Sequence, residues 1–167
     1  AQGGWYDLVD KERPFKKLVD IQFMAAMGPP GGGRTQITQR YVRHFNVLGF
    51  TPFEPAQLER IFATIMAWSL SAFPTAVKGQ VRALVAASID MYETIAREML
   101  PTPNKSHYTF NLRDLSKVFQ GIHQSHPEVM TDDKGLIRLW AHECGRVFHD
   151  RLVSEEDRTW FKTTLGE

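Results

Sequence analysis

The sequence predicts an α/β remnant followed by an α-helical bundle, and three observations lead there. Residues 18–27 form an apolar run in which Val19, Ile21, Phe23 and Ala25 alternate, and a Pro/Gly cluster ends it, as expected of a buried strand. A second strand is expected over residues 45–50, after a short helix at 38–44. From Pro55 onward every apolar pattern has helical spacing. The expected division is therefore 1–54, the C-terminal part of an α/β layer, and 55–167, a bundle. Two strands do not make a stable sheet, so their partners are expected in sequence preceding Ala1.

The elements follow in order. Gly3 and Gly4 before Trp5-Tyr6-Asp7 read as a turn, and residues 11–17 as a polar loop broken by Pro14. Leu58, Ile61, Phe62, Ile65 and Trp68 mark one face of a first bundle helix. Val77, Val81, Leu84, Val85, Tyr92, Ile95 and Met99 mark a longer one, with Thr75 as its N-cap and Pro101 and Pro103 as its stop. Asn111 with Asp114 has capping-box spacing and starts a third helix, whose end Gly121 and Pro127 bracket. A fourth, over 134–152, carries Ile137, Trp140, Cys144, Val147 and Phe148 on one side. Ser154 with Asp157 repeats the box before a last helix holding Trp160, Phe161 and Leu165.

Composition removes several classes of function. Of 167 residues 43% are hydrophobic and 23% charged, an ordinary globular balance. Twenty basic and nineteen acidic side chains leave a net charge of +1, with neither the basic surplus of a nucleic-acid binder nor a polybasic membrane anchor. No apolar stretch is long enough to span a bilayer, and residues 1–10 lack the pattern of a signal peptide. Cys144 is the single cysteine, so no internal disulfide forms, which fits a reducing compartment. The missing initiator Met suggests a piece of a longer chain.

Few motifs carry chemistry. Residues 28–35, GPPGGGRT, match the phosphate-loop spacing G-x-x-x-x-G-K-[ST] except for Arg34 at the lysine position. Such a loop works through consecutive backbone N–H groups, and Pro29 and Pro30 have none. No later strand ends in an acid that would hold magnesium, so a plain turn is the better reading. Arg40 and Arg43 share one face of the short helix. Spacing alone leaves two solvated arginines and an arginine finger both open. Arg113 sits in the first turn of a helix, where the partial positive charge disfavours a cation. A phosphate held there would explain it; a surface pair with Asp114 would explain it equally. His142-Glu143 lacks the second histidine of a zinc helix, so no metal ligand set is expected. Ser69, Ser71, Ser88 and Cys144 lack a nucleophile context, and the aromatic residues read as packing.

Two long stretches, DIQFMAAMGPPGGGR over residues 20–34 and SHYTFNLRDLSKVFQG over 106–121, closely resemble the third AAA+ module of dynein heavy chains, in the axonemal form. Residues 3–7, 40–45, 100–103 and 138–143 are similar to that module as well, so the likeness runs through nearly the whole chain in order. The resemblance implies an AAA+ P-loop NTPase module seen in its C-terminal half, with 55–167 as the helical lid. Residues 18–27 would be the sensor I strand and 45–50 the last strand of the large subdomain.

It implies site residues too. Arg113 matches the sensor II arginine, and Arg43, then Arg40, the arginine finger that acts on a neighbouring module. The sensor I position, usually a polar residue orienting water, falls on Gly28, which puts efficient hydrolysis in doubt but leaves nucleotide binding as a switch. No catalytic residue is expected within these residues. ATP or ADP with Mg would be the cofactors, their phosphate loop and Mg ligands lying upstream, so this piece alone should be inactive. Implied partners are neighbouring AAA+ modules, a microtubule reached through a stalk, and dynein intermediate and light chains, in a ciliary or flagellar axoneme. A non-catalytic AAA+-shaped scaffold for protein contacts is the alternative.

Overall fold

The computed structural model describes residues 3–28 and 36–166 and divides into two compact units, Ala1–Phe50 and Thr51–Glu167. In the first unit, strands β1 (Gly4–Tyr6) and β2 (Phe15–Lys17) pair antiparallel, with Trp5 opposite Lys16. The sequence reading had a turn and a polar loop here. The hairpin forms because its connection is stitched locally: Asp7 accepts the Val9 N–H at 3.0 Å and Asp10 that of Glu12 at 3.1 Å. Tyr6 packs edge-on against Phe15, and Lys16 pairs with Asp7. Helix α1 (Gln39–Val42) is the expected short helix, only four residues long.

Neither residues 18–28 nor 45–50 form a strand. Val19, Ile21, Phe23, Met24, Leu48 and Phe50 are all exposed. The physical reason is the one that makes strands social: a strand's backbone groups need a ladder, and among the described residues of this unit β1 and β2 have only each other. The phosphate-loop look-alike falls almost wholly on residues 29–35, outside the described residues.

The second unit is helical. Helix α2 (Pro55–Ser69) starts on a reciprocal capping box, in which the Gln57 side chain accepts the Glu54 N–H at 3.0 Å, with proline in its first turn. It buries Leu58, Phe62 and Met66, whereas Ile61, Ile65 and Trp68, expected inside, face out. The expected long second helix is two, α3 (Thr75–Gly79) and α4 (Val81–Glu98), broken at Gln80, and Pro74 rather than Thr75 is the N-cap. The break lets Val77 and Val81 both enter the core.

Helix α5 (Leu112–His123) has the predicted Asn111–Asp114 capping box. Its end at His123 falls between Gly121 and Pro127 as expected, and Gly121 lies in the last turn against the Glu143 side chain, where a Cβ would collide. Its role is close approach of α5 to α6 (Asp133–Val147), capped by Asp132. A 3-10 turn, His149–Arg151, follows, and then α7 (Glu155–Gly166). At α7 the Ser154 hydroxyl accepts the Asp157 N–H, but the Asp157 carboxylate turns away to Lys105 and Tyr108, so this box is half closed.

Packing joins α2 to α4 and α5 to α6, with α4 touching both members of the second pair. Phe62 stacks on Phe119 at 4.5 Å between ring centres, and the Trp140 indole N–H donates to the buried Ser88 hydroxyl at 2.8 Å. Leu115, Val118, Ile122, Leu136 and Cys144 are wholly buried. Each such aliphatic side chain contributes about 1.5–3 kcal/mol by leaving water. Ile137, expected on the buried face of α6, is exposed, and its neighbour Leu136 takes the place. No helix among the described residues is long and apolar enough to cross a membrane.

Candidate functional site

The entry to α5 gathers the most polar organisation in the bundle. Asn111 Oδ1 accepts the Arg113 N–H at 2.9 Å, and Asp114 Oδ2 accepts the Asn111 N–H at 3.2 Å. Two orphan amides of the helix start are thereby satisfied, and the first turn is fixed. Asp114 is buried and also takes Lys117 at 3.2 Å and Arg151 at 2.9 Å. Burial pushes its carboxyl up, but the Asn111 amide, Lys117 and Arg151 outweigh this, and the pKa lies below the usual carboxylate value.

Arg113 itself is exposed. Among the described residues its guanidinium makes no hydrogen bond and no ion pair. The surface pair with Asp114 that the sequence allowed is not formed, because both oxygens of that carboxylate are taken by other groups. A cation therefore stands in the first turn of a twelve-residue helix with no direct ion pair among the described residues. That arrangement can accept an anion.

A cleft of about 300 Å³ opens on another side of the same turn, bordered by Asn111, Asp114, Lys117, Arg146 and Arg151. Its cations are spent internally, on Asp114 for Lys117 and Arg151 and on Glu143 for Arg146 at 2.6 Å. Arg113 does not line it.

In the other unit Arg40 lies in the last turn of α1, and Arg43 caps that helix. Both are exposed, and Arg43 Nε lies 3.4 Å from a ring nitrogen of His44, a weak contact. Gly28 is exposed and lies in no regular element. Among the described residues no cluster of three or more His, Cys, Asp or Glu side chains could hold a metal ion.

The sequence reading missed a second polar group beside the site. Asp157 accepts from Lys105 and, at 2.7 Å, from the Tyr108 hydroxyl, which in turn accepts the Val153 N–H at 2.9 Å. Burial raises the Asp157 carboxyl, yet Lys105, Ser154 and Tyr108 together bring it below the usual value, while Asp157 raises Lys105. Burial, helped by the Asp157 carboxylate, pushes the Tyr108 hydroxyl up, and burial beside Glu143 pushes the Cys144 thiol to about 12, far from a reactive thiolate. The only hint in the sequence was Asp157, assigned there to a local cap.

Comparison with known proteins gives two family matches. The family described as "Dynein heavy chain, ATPase lid domain" covers residues 58–158, and "P-loop containing dynein motor region" covers residues 1–53. Among similar curated proteins, dynein axonemal heavy chain 1 of Homo sapiens is 49% identical over 98% of this chain. Dynein axonemal heavy chain 6 of Homo sapiens is 44% identical over 99% of it, and dynein axonemal heavy chain 2 of Mus musculus 43% over 99%. The chain spans only 4% of the length of these three relatives.

Proposed function

Because this chain belongs to the dynein heavy chain family, we propose that it is the nucleotide-sensing end of one module in an ATP-driven motor ring. Its fold is the C-terminal, helical-lid part of an AAA+ module. The longer protein would walk on microtubules in an axoneme through a stalk elsewhere in the chain, with neighbouring AAA+ modules and dynein intermediate and light chains as partners. Within it, this module would be the third, holding ATP or ADP as a regulatory ligand.

The observation that carries the reading is Arg113, an unpaired cation at the start of a rigidly capped helix. In the sensor II role its guanidinium meets the phosphates of the module's own nucleotide, and lid closure follows. The phosphate loop and the magnesium ligands would lie elsewhere in the heavy chain. Arg43, with Arg40 second, would serve the neighbouring module as arginine finger. Gly28 at the sensor I position has no side chain to orient water, which favours a binding switch over a hydrolytic site.

The test is Arg113→Ala in the complete heavy chain, with a photoactivatable azido-ATP and quantification of the label recovered on this module. Losing one charged hydrogen bond should weaken binding by roughly 1.5–3 kcal/mol, with folding changed by less than about 0.5 kcal/mol. Equal labelling of both proteins would make Arg113 a plain surface residue and would favour a scaffold that keeps the AAA+ shape for protein contacts alone.

A further inference from the structure

We infer that Arg151 is a positioning residue for Arg113, locking the entry of α5 to the 3-10 turn that follows α6 so that the lid presents Arg113 in one fixed geometry. The inference rests on the nucleotide-sensing reading of Arg113. It starts from what Arg151 touches. Its Nη1 donates to Asp114 at 2.9 Å, and its Nη2 to the carbonyls of His107 at 3.0 Å and Thr109 at 3.1 Å. Its guanidinium carbon lies 4.7 Å from the centre of the Phe110 ring. All four anchors fall between residues 107 and 114, the entry to α5 and its first turn.

The path from Arg151 to Arg113 is short and wholly hydrogen-bonded. Arg151 donates to the same Asp114 oxygen, Oδ2, that accepts the Asn111 N–H. Asn111 in turn holds the Arg113 N–H through Oδ1. Neutralising or moving Asp114 therefore loosens the residue that fixes the backbone of Arg113. A planar fork is needed here, since an ammonium cannot reach a carboxylate and two carbonyls while lying over an aromatic ring.

A purely structural bolt would be expected to act on the whole bundle. This one holds a segment whose helix has other support: α5 buries Leu115, Val118, Phe119 and Ile122 independently of Arg151. Asp114 also keeps Lys117 as a partner when Arg151 is gone. Loss of Arg151 should thus spare the fold and blur the placement of Arg113. The Tyr108–Asp157 bond beside it ties the same entry segment to the start of α7, so movement there reaches Arg113 by the same route.

A double-mutant cycle in the complete heavy chain tests this, read by azido-ATP labelling of this module. With Arg113 present, Arg151→Ala should weaken labelling affinity roughly fivefold or more. In the Arg113→Ala background the same change should do nothing further, because there is no guanidinium left to position. Arg151→Lys keeps the charge but not the fork, and should show the same dependence on Arg113 with a smaller loss. It carries the comparison if Arg151→Ala fails to fold. Equal losses in both backgrounds would overturn the inference while leaving the sensor role of Arg113 standing. If Arg113→Ala alone leaves labelling unchanged, the sensor reading and this inference fall together.

Discussion

The bundle, Thr51–Glu167, and the first unit, Ala1–Phe50, both carry long apolar stretches, yet only the bundle closes a core. Every residue of the buried core lies between Leu58 and Phe161, and none of the described residues before Thr51 is buried. The difference lies in where backbone hydrogen bonds are satisfied. A helix satisfies its own and needs only a neighbour for one face, which α2, α4, α5 and α6 give each other. A strand needs partners for its backbone before its side chains can be buried.

The sharpest way to break this comparison is to truncate one large apolar side chain in each unit. Leu136→Ala removes a wholly buried side chain of α6 and should cost about 2–5 kcal/mol in urea denaturation. Phe50→Ala, at a residue 90% exposed, should change the stability of this chain by less than about 0.5 kcal/mol. A comparable loss at Phe50 would mean that the first unit has a core after all.

Acid should act between those extremes. Asp114 and Asp157 both have carboxyl pKa values lowered in the folded protein. Their contribution is therefore complete above the unfolded value of about 3.9 and is lost as pH falls through the lower folded values. Thermal unfolding of the bundle should hold steady from pH 7 to about 5 and fall steeply below about 4. Asp7 in the first unit is lowered as well, chiefly by Lys16 and then by the Val9 amide, but that pair is solvated and should fade with added salt. A bundle as salt-sensitive as the hairpin would contradict the burial of Asp114.

Smallest of the three effects in the bundle is the cap. Asn111→Ala should cost about 1 kcal/mol, while Asn111→Asp, which can still accept the Arg113 N–H, should cost less.

These elements differ in how far the sequence disclosed them. The Asn111–Asp114 box was legible because a cap is local: two side chains, three residues apart, with their own backbone amides as partners. The face of α2 was half legible. Leu58 begins two overlapping stripes, through Phe62 and Met66 or through Ile61, Ile65 and Trp68, and only packing against α4 and α5 selects the first. Residues 18–28 have the alternation of a strand, but alternation records what a segment can pair with, not whether a partner is present. The lock at Arg151 left no periodic trace, since it reaches Asp114 across thirty-seven residues. Arg113 could be singled out by its misplaced charge; what holds its backbone in place could not.

In the proposed sensor role the bundle presents Arg113 to a nucleotide. A structure of the complete heavy chain with nucleotide bound in this module tests it directly. A sensor role for Arg113 requires a guanidinium nitrogen within about 3 Å of a phosphate oxygen, the charge-assisted hydrogen-bond distance, with the Asn111 and Arg151 contacts retained. A guanidinium turned to solvent beside a bound nucleotide, or paired with a protein carboxylate, would contradict it.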